Sequence, residues 1–173
     1  MTLIERAAIV VRIANASVAA ELATGCPAEI SAAQCVWESG WLQHMPPNSC
    51  NCFGIKDTDR LPGAVYVYTT EWMAGKLTPA RAAFEVYPTL DACFLDHALL
   101  LTGGASMDNV YAPAWGLYCQ DHDRDGWFRS ISTIYSPGNL AYSALVLATA
   151  NSQEIQDAVA VARRRPLLQR KAT

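Results

Sequence analysis

Residues 34 to 44 read QCVWESGWLQH and place Glu38 between Trp37 and Trp41. Apolar side chains recur here and just upstream at spacings of three and four residues, which predicts an amphipathic helix. Gln34, Glu38 and Trp41 lie four and three positions apart, so they share one edge of that helix. A carboxylate is therefore expected close to bulky rings at the end of a largely apolar helix.

Two interpretations of Glu38 are open at this point. Glutamate side chains are usually exposed, so Glu38 could simply be a solvated residue on the wet face of the helix. Alternatively, Trp37 and Trp41 shield its carboxyl from water, which raises the pKa because burial disfavours the charged form. A carboxyl that stays protonated near the working pH can then donate a proton in catalysis.

The composition indicates one folded domain. The chain has 173 residues, of which 51% are apolar and 17% are charged, so it is long enough to bury a core. We assign residues 1–160 to this domain and the basic residues 161–173 to a solvated, frayed C-terminal tail. The net charge of −3 gives no electrostatic case for a nucleic-acid partner, and we expect a monomer.

The first 25 residues are apolar enough to be mistaken for a secretion signal. Arg12 and Asn15 interrupt the apolar run, and Glu5 adds a negative charge where a signal carries positive ones. Thr2 and Glu5 have the spacing of a capping box, and Gly25 is a natural helix end. We expect a core helix here, no run that approaches a membrane span, and an export route that no recognisable signal peptide explains.

The sequence beyond the opening helices predicts a hairpin and more helices. After an irregular segment at 42–62, AVYVYTTEW at 64–72 reads as a strand and RAAFEVY at 81–87 as its returning partner. Glu71 ends a row of alternating side chains near the hairpin tip. Helices are predicted at 89–103, 109–120, 126–134 and 139–150. In the first of these, we expect His97 at the edge of the core with its hydrogen bonds satisfied.

Two sequence features are compatible with metal ions but favour other roles. The six cysteines show no zinc-ribbon spacing, and although Cys50, Cys52 and His44 could form part of a metal site, we favour small buried thiols. DHDRDG at 121–126 opens like a calcium loop, yet Ser132 stands where its twelfth-position glutamate belongs, so we favour an acidic surface loop. We expect no cofactor and no bound metal.

Glu38 on a helix and Glu71 on a hairpin form a pair suited to glycoside hydrolysis. That reaction needs one protonated carboxyl to donate to the leaving oxygen, and often a second, ionised one to activate water or attack the sugar. A helix that faces a small sheet across a groove can hold two carboxyls in different environments. Sugar rings pack on aromatic side chains, and those that could line such a groove are Trp41, Trp72, Tyr66, Tyr68 and Tyr111.

Four ordered blocks resemble the glucosaminidase-type peptidoglycan hydrolases, glycoside hydrolase family 73. The blocks are AAQCVWESGW at 32–41, NCFGIK at 51–56, TTEW at 69–72 and AAFEVYPTLDACFLDHALLL at 82–101. The family, which includes the flagellar hydrolase domain and many autolysins, carries Ala-Gln-x-x-x-Glu-Ser-Gly-Trp-Gly, Asn-Leu-Phe-Gly-Ile-Lys and a hairpin Thr-x-Glu in this order. The agreement extends over roughly residues 24–147.

The resemblance implies a fold, a reaction and a set of site residues. The fold would be α+β and lysozyme-like, mainly helical with a small β-hairpin lobe that flanks a substrate groove. The reaction would be endo-β-N-acetylglucosaminidase cleavage of the β-1,4 bond between N-acetylglucosamine and N-acetylmuramic acid in peptidoglycan, in the periplasm or outside the cell. Glu38 corresponds to the catalytic acid and Glu71 to the second carboxylate. The substrate-binding residues would be Trp41, Asn51, Phe53, Tyr111 and Tyr135.

The sequence also departs from the family pattern. Leu42 replaces the usual glycine after Trp41, and Ser-Pro-Gly-Asn follows Tyr135 where the family has Ala-Thr-Asp-Pro. Two alternative functions stay open. One is a muramidase or lytic transglycosylase on the same polymer, for which a single glutamate can suffice. The other is a wall-binding module that has kept the groove and lost turnover.

Overall fold

The computed structural model describes residues 1–58, 63–73, 76–104 and 109–170, and within them all side chains except those of residues 71–73, 77 and 166–170. The elements in this part of the chain are α1 (Leu3–Thr24), α2 (Ala28–Ser39), β1 (Val65–Met73), β2 (Lys76–Phe84), α3 (Leu90–Thr102), α4 (Ala112–Asp121), α5 (Arg124–Tyr135), α6 (Tyr142–Ala150) and α7 (Gln153–Arg170). The predicted α+β class, mainly helical with a small hairpin lobe, is confirmed.

Helix α1 is capped as predicted at both ends. Thr2 Oγ1 accepts a hydrogen bond from the Glu5 amide (3.2 Å), the Glu5 carboxylate accepts one from the Thr2 amide (2.7 Å), and Gly25 closes the helix with a φ of 81°. By length and composition α1 could cross a bilayer, with a mean hydropathy of 1.4, so the expectation that no run approaches a membrane span is wrong. In the fold, α1 packs against α2, α3 and α7 and buries Ile13 and Val18.

The hairpin is longer on its second strand than the sequence predicts. β1 and β2 pair antiparallel, with Val65 opposite Phe84 and Met73 opposite Lys76, so β2 begins well before the predicted segment at 81–87. Pro79 obscures this part of the strand, because proline cannot donate to a sheet. Among the described residues the sheet has two strands, so β2 is an edge strand, where proline is tolerated. The sequence AGK at 74–76 predicts the turn between the strands, and of these residues 74 and 75 lie outside the described residues.

Helix α7 was not predicted and includes most of the segment assigned to a frayed tail. Ile155, Val159 and Ala162 recur at helical spacing and are buried. Arg163 donates to the carboxylates of Glu21 (2.7 and 2.8 Å) and Glu29 (2.7 and 3.0 Å), which joins α7 to α1 and α2. The boundary at residue 160 therefore falls inside a helix that belongs to the packed domain up to at least Arg163.

The cysteines and His97 show how the core differs from expectation. All six thiols are free, and the prediction that they are buried holds for four of them: Cys26, Cys35, Cys52 and Cys93. Cys50 is half-buried and Cys119 is exposed. His97 is fully buried, and neither ring nitrogen has a hydrogen-bond partner in the described part of the chain, so the expected satisfied histidine is wrong. Its ring instead stacks on Phe53 at a centroid distance of 3.6 Å.

Candidate active site

Glu38 lies in the last turn of α2 and opens into a groove between that helix and the hairpin. The groove has a volume of about 320 Å³. Its other walls come from the irregular segment after α2 and from the two strands: His44, Met45, Pro46, Pro47, Asn51, Gly54, Val67, Tyr68, Thr69 and Phe84. The groove therefore places the helix carboxyl opposite the sheet, in the arrangement that the sequence predicts for Glu38.

The chain leaves α2 through three consecutive residues in the left-handed conformation. Gly40, Trp41 and Leu42 have φ angles of 54°, 63° and 62°. This region favours glycine, because a Cβ crowds the backbone there. A glycine at position 42, as in the family pattern, would adopt this conformation without strain. Leu42 adopts it at a cost in backbone energy.

Tyr142, at the start of α6, is the hydrogen-bond partner of Glu38. Its hydroxyl donates to Glu38 Oε1 at 2.5 Å and accepts from Gln34 Nε2 at 3.3 Å. Gln34 and Glu38 are one helical turn apart, so α2 presents both to the same phenol. The sequence prediction missed Tyr142 and chose Tyr135 from the same tyrosine-rich segment, IYSPGNLAY. No local pattern distinguishes the two rings.

The surroundings of Glu38 raise the pKa of its carboxyl. Burial is the larger effect, and the hydrogen bond from Tyr142 opposes it because it stabilises the charged form. By accessible area Glu38 is exposed, since the groove is open on one side. The two observations are compatible: accessible area measures contact with water, whereas desolvation depends on how many protein atoms surround the carboxyl. The protonated form is therefore more stable than in an ordinary glutamate, in a position that stays accessible.

Two phenols, from α5 and α6, lie close to the Glu38 carboxyl, and a third lies close to them. Tyr135 stacks on Tyr142, with ring centroids 5.8 Å apart and planes inclined by 14°. Burial raises the pKa of both hydroxyls, and the negative charge of Glu38 raises it further. Tyr111, which is also buried, acts electrostatically on both of them. The structure thus brings the predicted Tyr135 close to Glu38, with Tyr142 in contact with both, and places the predicted Tyr111 beside these two phenols.

The two tryptophans beside Glu38 in the sequence face a different cleft. Trp37 and Trp41 line a cleft with Arg6 and Glu154, and this cleft does not include Glu38. Trp37 directly precedes Glu38, and successive residues of a helix project about 100° apart. Trp41 lies beyond Ser39, where α2 ends, so it does not continue the helix edge that carries Glu38. The idea that these rings desolvate Glu38 is therefore corrected: the aromatic ring in contact with its carboxyl is Tyr142.

Asn51 and Phe53, predicted to bind substrate, also have contacts within the chain. The Asn51 amide nitrogen donates to the carbonyls of Ile55 (2.8 Å) and Glu85 (3.0 Å), and its Oδ1 accepts from the Ile55 amide (2.9 Å). These bonds hold the turn at 51–55 against the segment that follows β2, and Asn51 forms part of the groove wall there. Phe53 is 4% exposed and packs on His97 and Phe94.

Glu71 lies in β1, where its backbone is paired with Thr78. Its side chain, like that of Trp72, is outside the described residues. Val67 and Thr69, which precede it at intervals of two positions in the strand, both line the Glu38 groove. Of the other predicted aromatic residues, Tyr68 lines the groove and is 84% exposed, and the Tyr66 ring lies under the Arg81 guanidinium at 4.6 Å.

The acidic segment at 121–126 has structural contacts of its own. Asp123 Oδ1 caps α5 by accepting from the Gly126 amide at 2.9 Å, and Asp121 Oδ1 accepts from the Asp123 amide at 2.8 Å. Asp125 pairs with Arg124 at 2.7 Å. Among the described residues, no group of three or more His, Cys, Asp or Glu side chains is arranged to hold a metal ion.

Comparison with known proteins identifies the family. The family model for glucosaminidase, described as mannosyl-glycoprotein endo-beta-N-acetylglucosaminidase, matches residues 14–159. The chain belongs to the glucosaminidase family. It is therefore a glycoside hydrolase, and the matched range contains Glu38, the hairpin and Tyr142.

Solved structures of related fold support the architecture of this glucosaminidase. The catalytic domain of the autolysin Auto from Listeria monocytogenes has a TM-score of 0.73 at 21% identity, over 91% of this chain and 89% of that one. The peptidoglycan hydrolase of Sphingomonas sp. A1, as a mutant, has 0.70 at 22%, over 88% and 97%. The truncated glycoside hydrolase domain of FlgJ from Salmonella typhimurium has 0.62 at 22%, over 84% and 95%. No curated protein matches the chain.

Proposed function

We propose that this glucosaminidase hydrolyses peptidoglycan and that Glu38 is its general acid. One observation carries the assignment of Glu38: its carboxyl has a raised pKa and lies under the Tyr142 hydroxyl in an open groove between α2 and the hairpin. A protonated carboxyl in such a position can donate to the oxygen of a glycosidic bond as that bond breaks. The polymer is proposed from the solved relatives, whose names include an autolysin and peptidoglycan hydrolases.

The groove suits the glycan part of that polymer. Tyr68 offers an exposed ring on the hairpin side, and sugar rings pack their apolar faces on such rings. The turn at 51–55 is held in place by the Asn51 amide, so the backbone that forms this wall is fixed before substrate arrives. We infer that the enzyme cleaves the β-1,4 bond between N-acetylglucosamine and the N-acetylmuramic acid that follows it, so that N-acetylglucosamine becomes the new reducing end.

Tyr142 is proposed to position the acid and to tune it. The hydrogen bond to Oε1 fixes the orientation of the carboxyl and leaves Oε2 to carry the proton that is transferred. When Glu38 has given its proton away, the same phenol stabilises the resulting carboxylate. Burial therefore favours the acid form before the reaction, and Tyr142 limits how far the pKa rises.

Glu71 is proposed as the second carboxylate. Its place in β1 continues the strand positions Val67 and Thr69 that line the groove, which supports a role on the opposite side from Glu38. An ionised carboxylate there would activate water or stabilise the positive charge that develops on the sugar. The acetamido group of the substrate could share this task, in which case Glu71 contributes less than Glu38.

The new reducing ends of the product test the proposal. Purified peptidoglycan is incubated with the protein, the products are reduced with borohydride, and the ends are read by mass spectrometry. We expect reduced N-acetylglucosamine. Reduced muramic acid would indicate a muramidase, and anhydromuramic acid a lytic transglycosylase. Binding to the polymer without new ends would indicate a wall-binding module. The site of action is the cell wall, and we propose the periplasm or the cell exterior as its compartment.

A further inference from the structure

A second cleft lies on the other side of α2 from the Glu38 groove. It has a volume of about 610 Å³, larger than the Glu38 groove and within the range of small-ligand sites, ~300–1,000 Å³. Four elements form it: the start of α1, the end of α2, α6 and the start of α7. The proposed reaction does not use this cleft.

Trp37 provides an exposed aromatic face in this cleft. The residue is 46% exposed, which is unusual for a side chain whose burial contributes so much to folding. Its indole Nε1 donates to Thr149 Oγ1, a residue 112 positions away in the chain, at 2.9 Å. This hydrogen bond holds the ring in one orientation. A rigid aromatic surface of this kind binds a flat apolar partner at little cost in side-chain entropy.

The polar wall of the cleft carries both hydrogen-bond donors and acceptors with little net charge. Arg6 lies over the Trp41 ring, 4.2 Å from its centroid, and donates twice to Glu154, at 2.9 and 2.6 Å. The side chains of Arg6 and Glu154 are 41% and 38% exposed, so both keep capacity for further hydrogen bonds. Because the positive charge is already paired, the wall suits a neutral ligand rich in hydroxyl and amide groups and disfavours a free anion.

We propose that this cleft is a second glycan-binding site, in which an N-acetylhexosamine residue of a wall glycan strand packs on Trp37. A pyranose ring has an apolar face of C–H groups and a polar edge, and the cleft offers an indole face beside a hydrogen-bonding wall. The choice of polymer rests on the proposed function; the preference for a neutral sugar rests on the cleft. A second site on the same domain raises the effective concentration of an insoluble polymer at the catalytic groove.

Binding is measured in a Glu38→Gln background, so that turnover does not interfere. A soluble N-acetylglucosamine tetramer is titrated while the indole N–H resonances are followed by NMR, and sedimentation with insoluble peptidoglycan gives the affinity for the polymer. We expect the Trp37 resonance to shift, and Trp37→Ala to weaken binding to the polymer about ten-fold, as is typical of a buried aromatic contact. Trp37→Phe, which keeps an aromatic face, should lose less.

Two further variants separate the site from general effects on the fold. Ala148→Arg places a long side chain in the cleft from an exposed position on α6 and should weaken polymer binding with Trp37 intact. Leu117→Ala removes an exposed apolar side chain on α4 and should leave binding unchanged. In the active enzyme, Trp37→Ala should lower kcat/KM on insoluble wall and leave turnover of a short soluble fragment within two-fold of the parent.

Three results would overturn the second site. The Trp37 resonance could stay fixed as the tetramer is added, or Trp37→Ala could bind the polymer as tightly as its parent. Alternatively, Trp37→Ala could abolish self-association seen by analytical ultracentrifugation, which would make the cleft an interface between copies. Failure of the proposed function is a different result, because a parent enzyme that releases no reducing ends from peptidoglycan can still be tested with the tetramer.

Discussion

The Tyr142 hydroxyl lies 2.5 Å from Glu38 Oε1, although the two residues are 104 positions apart in the chain. This contact joins α6 to the end of α2 and places a hydrogen-bond donor on a carboxyl that burial otherwise drives toward its protonated form. The opposing effects set the pH range in which Glu38 can act as an acid. Several consequences of this arrangement, and of the packing around it, can be measured.

Glu38→Gln tests the general acid directly. The amide keeps the shape of the side chain and cannot supply the proton, so we expect turnover of peptidoglycan to fall by about two orders of magnitude or more. Binding of wall fragments should be retained, because the groove walls are unchanged. Circular dichroism confirms the fold before rates are compared. Cleavage at the parent rate would return Glu38 to the role of an ordinary exposed glutamate.

Tyr142→Phe should move the basic limb of the pH–rate profile. The hydroxyl stabilises the Glu38 carboxylate and so lowers the pKa of that carboxyl; its removal raises the pKa further. An acid must be protonated to act, so activity should persist to higher pH in the variant. Tyr135→Phe keeps the bond between Tyr142 and Glu38 and serves as the control. A basic limb that stays in place, or moves to lower pH, contradicts this account.

Glu71→Gln should cost less activity than Glu38→Gln. A second carboxylate acts in its ionised form, and its task can be shared with the substrate's acetamido group, whereas the proton donor has no such substitute. The comparison uses the same peptidoglycan preparation and the same reducing-end assay for both variants. An equal or larger loss in Glu71→Gln would make Glu71 indispensable and exclude assistance by the substrate.

His97 should make the protein less stable in acid. Burial lowers the pKa of its imidazole to about 3, against an ordinary value near 6.5. Between these values the unfolded chain binds a proton that the folded chain does not. The contribution of neutral His97 to the free energy of unfolding is therefore fully present above about pH 6.5 and is lost as pH falls below it. Relative to His97→Phe, the parent should lose about 2 kcal/mol more of its unfolding free energy between pH 7 and pH 5.

Urea unfolding of both proteins at the two pH values gives this difference. His97→Phe replaces the ring that stacks on Phe53 by another aromatic ring, so the packing is largely retained. The same pH dependence in parent and variant would show that His97 binds its proton in the folded state, and would place a hydrogen-bond partner on its ring.

Arg163→Met should destabilise the domain by about 2 kcal/mol, because it leaves the buried Glu29 carboxylate without its charged partner. Burial raises the pKa of Glu29. The hydrogen bonds and charge of Arg163, with smaller effects from a backbone hydrogen bond and the charge of Arg124, more than reverse this, so the pKa lies below its ordinary value. The pair therefore stabilises the fold at neutral pH, and its contribution is lost as pH falls through that lowered pKa.

The exposed Arg164 provides a matched control for this variant. Arg164→Met removes the same charge from the next position of α7 and should change thermal stability little. Thermal unfolding at pH 7 compares the two. Equal stability of both variants and the parent would restore the view that the chain beyond residue 160 is a tail outside the domain.

Local sequence determined both ends of α1 and the presence of the hairpin. The Thr2–Glu5 capping box and the Gly25 stop both act within a few residues, so the sequence alone identifies them. It also determined that Glu38 lies on a helix near aromatic residues and that a second glutamate follows on a strand. These features depend on periodicity and short-range hydrogen bonds, which do not require knowledge of the fold.

Only the tertiary structure decided which aromatic ring meets which side of α2. Trp37 is next to Glu38 in the chain and faces another cleft, whereas Tyr142, far away in sequence, binds the carboxylate. The sequence did not predict helix α7 for the same reason. Its basic residues are typical of a solvated tail, and only the tertiary structure shows that Arg163 binds Glu21 and Glu29. Contacts between distant segments depend on how helices rotate and pack against one another, and no short-range pattern in the sequence encodes that rotation.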